Sequence, residues 1–268
     1  MLLTRILTAI VGIPIIFLCI YFGSLPFYIL MFLVSFFCVQ ECLAISKKYK
    51  PHTVISLVMA ALFFIFLHFF DSFPLDKISF AAITMLFVFF ALEVFGKNPD
   101  LCVGRISVSF LAAFFLPLSL VHMVYIREIP AGGMQLIFFI FIVVWTLDTA
   151  AYAFGKKLGK HKLAKNVSPK KTVEGAVAGV VFGMIAAVIC RYVFMFEIIS
   201  LAQAVILGFI IAVVGQFSDL AESLIKRDGN IKDSGKIIPG HGGAFDRFDS
   251  YIFAAPAVFY ILQIFGKI

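Results

Sequence analysis

Residues 219–250 bring together acids, cations, a hydroxyl group and clustered glycines. Asp219 is followed by Glu222, Ser223, Lys226 and Arg227 at i+3, i+4, i+7 and i+8, which is one face of a helix. This face would present carboxylates, a hydroxyl and two cations together. A solvent-exposed amphipathic helix end with surface ion pairs is the alternative interpretation.

A glycine-rich segment, Pro-Gly-His-Gly-Gly, lies at 239–243. Because Gly242 and Gly243 lack side chains, their backbone N–H groups can approach an anion, as in the nests that bind phosphate. The chain contains neither a His-Glu-x-x-His pattern nor a cysteine and histidine set for zinc. We therefore interpret His241 as a phosphate-binding or proton-transfer residue.

Two carboxylates follow the glycines at the start of another apolar stretch. Asp246 and Asp249 lie about one helical turn apart, and acidic residues there can be simple helix caps. Together with Asp219 they would supply only oxygen ligands beside a phosphate-binding segment. Mg²⁺ binds in this way, through one or two carboxylates plus substrate phosphates. The pattern favours a magnesium site.

A second set of polar residues begins inside an apolar stretch. Asp148 lies about six residues, or roughly 9 Å, from the predicted inner end of that stretch, where a charge is costly and usually functional. Ser168, Lys170 and Lys171 follow, just before the next apolar stretch. Hydroxyl and ammonium groups at a helix N-terminus can form an anion site. Attraction of the lysines to anionic lipid headgroups is the alternative.

Long apolar stretches separate these residues. The chain is 62% hydrophobic and 14% charged, with a mean hydropathy of +1.07, whereas soluble domains have about 25% charged residues. Nine stretches reach or approach the roughly 20 residues that a membrane-spanning helix needs. They are 6–23, 26–45, 53–70, 78–95, 106–126, 134–154, 175–196, 198–219 and 250–265. We predict an all-α polytopic membrane protein of about nine transmembrane helices.

The lysines and arginines predict the orientation. With a cytoplasmic N-terminus, eighteen of the 22 lie on the inner side and three on the outer side, as the positive-inside rule requires. The net charge of +7 is therefore explained by topology, and we expect no nucleic-acid partner. The long connections 155–174 and 220–249 would be cytoplasmic. We expect one membrane domain over 1–268, with mainly scaffold helices in 1–130 and the catalytic half in 131–268.

The same residues resemble the signature of the phosphatidate cytidylyltransferases, also called CDP-diacylglycerol synthases. That signature is Ser-x-x-Lys-Arg, four residues, Lys-Asp-x-[Gly/Ser/Ala], then [Pro/Gly]-x-His-Gly-Gly, two residues and Asp-Arg-x-Asp. The chain matches each fixed position, with Ser223, Lys226, Arg227, Lys232, Asp233, Gly235, Pro239, His241, Gly242, Gly243, Asp246, Arg247 and Asp249. The segments around Asp148 and Lys170 are also similar to the family, so the resemblance covers essentially the whole chain.

The resemblance implies a transfer of CMP from CTP to phosphatidic acid with Mg²⁺, giving CDP-diacylglycerol and pyrophosphate. It implies Asp219 and Asp246 as the first metal ligands, with Ser223 and Asp249 in support. Asp148 and His241 complete the predicted catalytic residues. The groups expected to hold the triphosphate are Lys226, Arg227, Lys232, Arg247, Gly242 and Gly243. Ser168, Lys170 and Lys171 would bind either the CTP phosphates or the lipid phosphate, and both assignments stay open.

We further expect a multi-pass protein of the bacterial inner (plasma) membrane, with its active site facing the cytoplasm and membrane lipid as a partner. A homodimer is left open. A secondary transporter of an anionic substrate would also have many spans and intramembrane charges such as Asp148 and Arg191. However, the sequence shows no repeated halves or paired broken spans, which transporters often have. The prediction is therefore an enzyme, with a transporter as the alternative.

Overall fold

The structure is a computed structural model that describes residues 2–69, 75–96, 99–240 and 242–268, without the side chains of 2–7 and 9. Most of these residues are helical. The helices are α1 (Leu2–Phe22), α2 (Ser24–Ile45), α3 (Thr53–His68), α4 (Leu75–Val94), α5 (Cys102–Phe110), α6 (Leu116–Arg127), α7 (Gly133–Leu158), α8 (Val173–Phe194), α9 (Leu201–Asp228) and α10 (Phe245–Ile264). A 3₁₀ turn at Lys47–Tyr49 follows α2, and a π-helical segment, Leu111–Phe115, joins α5 to α6.

A short β-hairpin lies between α7 and α8. Its strands are β1 (Lys162–Ala164) and β2 (Ser168–Thr172), and they pair antiparallel. The all-α prediction is therefore correct for most of the described chain but misses this hairpin. Strands of three and five residues are too short, and here too rich in lysine, to show the alternating apolar pattern that predicts a strand.

Six helices within the described residues are long and apolar enough to cross a membrane. They are Ser24–Ile45, Leu75–Val94, Cys102–Arg127, Gly133–Leu158, Val173–Phe194 and Leu201–Asp228. Each of the other three predicted spans also overlaps a helix, namely α1, α3 or α10. The apolar part described for α1, Ile10–Phe22, and the whole of α3 are shorter than the six helices named above. The first turn of α10 carries charged residues. The count of about nine spans and the cytoplasmic N-terminus stay predictions.

The chain divides into two compact units whose segments interleave along the sequence. The first unit consists of Met1–Ala9, Ile29–Val121 and Ile225–Phe248, and the second of Ile10–Tyr28, His122–Leu224 and Asp249–Ile268. The prediction of a single membrane domain with a scaffold half and a catalytic half stays a prediction.

Small residues bring the helices of the second unit close together. Gly175, Gly179 and Gly183 lie at intervals of four residues on α8, and all three are buried. A Cβ atom on Gly175 would lie 2.6 Å from the carbonyl oxygen of Ala151 in α7. Since lipid is as apolar as the side chains, helices in a membrane associate through such close backbone packing. The α7–α8 contact depends on these glycines.

The hairpin is attached to the start of α8 by hydrogen bonds. Thr172 caps α8, because its hydroxyl accepts from the Gly175 N–H at 3.2 Å. The Glu174 carboxylate accepts from the backbone N–H groups of Lys160 at 3.0 Å and of His161 at 3.2 Å. Glu174 Oε1 also lies 2.6 Å from His161 Nδ1. These bonds fix both ends of the hairpin and so the direction of β2.

Partly buried polar contacts connect the helices of the first unit. Glu93 Oε1 in α4 lies 2.6 Å from His52 Nε2 and 3.0 Å from Arg105 Nε of α5. The His52 backbone N–H, which precedes α3, donates to Ser109 Oγ at 3.0 Å. Three helices of this unit are thereby joined at one place.

Candidate functional site

Three carboxylates of the second unit form a group that we call the acidic cluster: Asp219, Glu222 and Asp249. Asp219 and Glu222 lie three residues apart on α9, and Asp249 lies in the second turn of α10. One carboxylate oxygen from each lies within 4.8 Å of the other two. Glu222 is buried, and the other two are partly buried. Like charges at this distance repel strongly, so a cation would stabilise the cluster.

Contacts between α9 and α10 fix the position of Asp249. The Ser218 hydroxyl of α9 donates to the Asp249 backbone carbonyl and accepts from the Phe253 N–H at 3.3 Å. Gly215, one turn earlier on α9, leaves room for Ser250, whose carbonyl oxygen would lie 3.6 Å from an added Cβ. The Ser250 N–H donates to Asp249 Oδ1 at 2.6 Å. The sequence therefore places Asp249 opposite Asp219 through small and hydroxylated residues.

Two further charged residues of the second unit face the acidic cluster. Lys171 Nζ forms an ion pair with Asp219 Oδ2, and the two side chains are 29% and 27% exposed. Asp148 of α7 is exposed and is close enough to Asp249 to interact with it electrostatically. When ionised, four carboxylates beside Lys171 give this group a net negative charge. The arrangement suits a hard cation with oxygen ligands.

The β2 strand separates the two predicted lysines. Successive side chains of a strand point to opposite faces. Lys171 is partly buried and contacts Asp219, whereas Lys170 is exposed and Ser168 is partly buried. The structure thus brings Lys171 to the acidic cluster, and the predicted phosphate-binding roles of Lys170 and Ser168 stay predictions.

Asp246 belongs to the first unit and is held by protein donors. Its Oδ1 lies 2.7 Å from Lys226 Nζ, and both side chains are largely buried. Its Oδ2 accepts from the backbone N–H of Ser234 at 2.8 Å and of Gly243 at 3.0 Å. A Cβ on Gly242, which has a φ of +88°, would lie 2.7 Å from this oxygen, so the position favours glycine. Metal binding by Asp246 and phosphate binding by the Gly243 N–H stay predictions. Each would require the hydrogen bonds described here to break and new bonds to the metal or phosphate to form.

Two acidic residues were missed as site residues from the sequence. Glu222 was recognised on the α9 face but not as a metal ligand, although its i+3 spacing from Asp219 indicated it. Glu41 of α2, in the part predicted as scaffold, is 4% exposed and accepts three hydrogen bonds, two from residues before α10 and one from its first residue. The available signal was a single carboxylate within an apolar stretch, which is usually functional.

The remaining predicted residues differ in exposure. Ser223 is buried beside Glu222 on α9. The other predicted triphosphate-binding cations are exposed, so an anion could reach them: Arg227, Lys232 and Arg247. His241 lies outside the described residues.

The described residues thus combine six helices that are long and apolar enough to cross a membrane with a group of close carboxylates and several exposed cations. The chain matches the model of the cytidylyltransferase family over residues 3–265, and it belongs to this family. A phosphatidate cytidylyltransferase of Bacillus subtilis (strain 168) is 34% identical over 267 residues, which is 98% of each chain. Those of Staphylococcus saprophyticus and of Staphylococcus aureus (strain COL) are 40% and 37% identical over 65% of each chain.

Proposed function

We propose that the protein is a phosphatidate cytidylyltransferase of a bacterial membrane. It transfers CMP from CTP to phosphatidate and produces CDP-diacylglycerol and pyrophosphate. Membership of the cytidylyltransferase family and the similarity to the Bacillus subtilis enzyme over 98% of the chain support this activity. The observation that carries the mechanism is the acidic cluster with Lys171 at its edge.

The reaction needs no protein nucleophile. An oxygen of the phosphatidate phosphate attacks the α-phosphorus of CTP, and a new P–O bond forms. The bond from the α-phosphorus to the bridging oxygen breaks, and pyrophosphate leaves with the electron pair. Because a phosphate monoester is already anionic at neutral pH, the protein has to align the two substrates and neutralise charge.

We propose that the acidic cluster holds Mg²⁺ through Asp219, Glu222 and Asp249. Their donor atoms are all carboxylate oxygens, which suit this ion, and they already lie close together. Bound Mg²⁺ supplies positive charge against the phosphates and orients the leaving group. Lys171, which pairs with Asp219, would contact a phosphate oxygen there. Asp246 is kept as a further predicted ligand, and Asp148 as an acid that adds negative charge near Asp249.

The triphosphate of CTP is proposed to bind three exposed cations and the buried Lys226, together with glycine N–H groups. These groups are Lys226, Arg227, Lys232, Arg247, Gly242 and Gly243, with Ser223 and His241 as further polar contacts. For the lipid, the second unit has an open apolar groove of about 440 Å³ along α7 and α8, lined by Trp145, Thr149 and Phe182 among others. An acyl chain suits such a groove.

We propose that the protein lies in the inner (plasma) membrane with this site facing the cytoplasm, where CTP is available. The distribution of lysine and arginine supports this orientation. Reporter fusions after Lys48, Lys162 and Asn230 should be cytoplasmic, and a fusion after Ile268 should be external. A reporter that is external after Lys162 would contradict access of CTP to the acidic cluster.

The activity is tested by incubating purified protein with CTP, phosphatidate and Mg²⁺. CDP-diacylglycerol and pyrophosphate should form in equal amounts, and chelation of Mg²⁺ should stop the reaction. Asp219→Asn is the matched control for a contaminating enzyme. Uptake of an anionic substrate by reconstituted vesicles, with no CTP turnover, would instead indicate a transporter.

A further inference from the structure

Glu41 is a buried carboxylate with three hydrogen-bond donors around it. It lies in the last turns of α2 and is 4% exposed. Its Oε2 accepts from Ser234 Oγ at 2.7 Å and from the Phe245 N–H at 2.9 Å, and its Oε1 accepts from the Ala244 N–H at 3.1 Å. Burial of a charge is unfavourable unless donors compensate it, and here the donors all come from one segment.

This carboxylate caps α10 from a distant part of the chain. The first N–H groups of a helix have no partner within the helix and are usually capped by a neighbouring side chain. At α10 the bonds from Ala244 and Phe245 go to Glu41, which is 203 and 204 residues away in sequence. A negative charge is favourable at this end of a helix. Glu41 therefore fixes where α10 begins.

The carboxylate also explains two glycines in the described residues 234–240 and 242–244, which we call the glycine loop. An added Cβ would overlap with Glu41 Oε1 at Gly235 and with Glu41 Oε2 at Gly243. At Gly235 the three nearest atoms to the added Cβ all belong to Glu41, whereas at Gly243 the Ser234 hydroxyl is also in the way. Neither glycine has a left-handed backbone. The Glu41 side chain, rather than the backbone conformation, thus requires glycine at position 235.

Ser234 connects Glu41 to the predicted catalytic residues of the same unit. Its Oγ lies 2.7 Å from Glu41 Oε2 and 2.9 Å from Asp246 Oδ2. The Asp246 N–H donates back to this hydroxyl at 3.3 Å, and Asp246 Oδ1 contacts Lys226. A hydroxyl has one hydrogen, so Ser234 donates to only one of the two carboxylates at a time. When it donates to Glu41, its link to Asp246 is the bond that its oxygen accepts from the Asp246 N–H.

We propose that Glu41 is a positioning residue for cytidylyl transfer. It holds the glycine loop against α2 and, through Ser234, sets the orientation of Asp246 and Lys226. This inference rests on the proposed function, in which Lys226 and the glycine loop bind the CTP triphosphate. Glu41 itself touches neither substrate. The part of the chain before residue 130 thus contributes to CTP binding.

The first test compares Glu41→Gln with Glu93→Gln. Glu93 is a matched control because it is also a largely buried carboxylate of the first unit, but it binds His52 and Arg105. In Glu41→Gln an amide NH₂ group replaces one carboxylate oxygen. This group would face a hydrogen-bond donor and could not accept from it. We expect the KM for CTP to rise by about tenfold or more, the effect of losing one hydrogen bond to a charged group. The KM for phosphatidate should change less than about twofold.

A double-mutant cycle tests the fit between Glu41 and Gly235. Gly235→Ala alone should raise the KM for CTP, because the new methyl group displaces the Glu41 carboxylate. In a Glu41→Ala background the same change should have little further effect, since the overlapping atoms are gone. Equal effects of Gly235→Ala in both backgrounds would contradict the proposed contact.

Hydrogen exchange gives a readout that does not depend on turnover. Glu41→Gln should speed amide exchange in the peptide covering residues 234–246 and leave the α5 peptide unchanged. If wild-type protein makes no CDP-diacylglycerol, the proposed function fails, and the exchange result still tests whether Glu41 holds the loop. If the two Gln variants raise the KM for CTP equally, or exchange in 234–246 is unchanged, the positioning role is wrong.

Discussion

The two units hold their carboxylates in opposite ways. In the acidic cluster of the second unit, the charged neighbours of Asp249 are the carboxylates Asp219, Glu222 and Asp148. In the first unit, Glu41 and Asp246 accept hydrogen bonds from N–H groups, a hydroxyl and an ammonium group. Mutual repulsion would be relieved by the cation that we propose for the first arrangement, whereas the hydrogen bonds of the second hold a loop and a helix end. Asp246 and Asp249, three residues apart on α10, are therefore proposed to serve different purposes.

The largest expected effect separates activity from stability in the acidic cluster. Asp219→Asn and Asp249→Asn should each lower turnover by at least about a hundredfold, because each amide keeps the shape but loses the charge opposite the phosphates. Thermal stability in detergent should stay the same or rise in Asp249→Asn, because repulsion between carboxylates decreases. In Asp219→Asn the loss of the ion pair with Lys171 offsets part of this gain. Activity near wild type in a folded variant would remove that residue from the cation site.

Asp246→Asn should lower both turnover and thermal stability. The change leaves the largely buried Lys226 without its counter-ion, which we expect to destabilise the protein by about 1–3 kcal/mol. Turnover should fall because Lys226 loses its orientation. Thermal unfolding and steady-state turnover measured on the same preparation provide the comparison. A stability increase like that expected for Asp249→Asn would place Asp246 functionally with the acidic cluster.

The hairpin lysines should differ although each has the same charge. Lys171→Gln should lower turnover by about tenfold or more, because Lys171 contacts Asp219. Lys170→Gln and Lys156→Gln remove exposed charges and should each cost less than about threefold, with an effect that salt weakens. The assays belong in neutral detergent micelles, where no anionic bilayer surface is present. Equal losses of turnover at the three positions would indicate that these lysines only set the membrane topology or attract anionic lipid.

The smallest expected effect on turnover comes from the helix packing that positions the hairpin. Gly175→Ala would place a Cβ 2.6 Å from the Ala151 carbonyl oxygen. We expect this change to destabilise the protein by about 1–3 kcal/mol and to lower turnover less than the substitutions described above. Gly12→Ala is the matched control, because no atom lies within 4 Å of its added Cβ. Equal thermal stability of the two variants would contradict the close contact between α7 and α8.

The sequence predicts best what depends on local spacing. Asp219, Ser223 and Lys226 could be placed on one helix face because α9 continues beyond its apolar part, as expected. Glu222 lay on that face, but only the position of α10 shows that it meets Asp249. The apolar stretches similarly predicted the helices, since hydrophobic length is a property of a continuous segment.

Features that depend on distant contacts could not be predicted. Glu41 bonds to residues more than 190 positions away, and no local pattern reports such a contact. The hydrogen bond from the Gly243 N–H to Asp246 could not be predicted either. A glycine-rich segment has the same composition whether its N–H groups bind phosphate or a side chain. Lys170 and Lys171 became distinguishable only once β2 was known to be a strand.

The most direct test of the difference between the two carboxylate groups is the binding of Mn²⁺, as a paramagnetic substitute for Mg²⁺. Binding would be measured by electron paramagnetic resonance on wild type, Asp249→Asn and Asp246→Asn without substrate. We predict that Asp249→Asn weakens Mn²⁺ binding by about tenfold or more, since one of the carboxylate ligands is lost. Asp246→Asn should weaken it much less, because without substrate the Asp246 oxygens are held by Lys226, Ser234 and Gly243. Normal binding by Asp249→Asn together with loss of binding in Asp246→Asn would contradict the assignment of the cation to the acidic cluster.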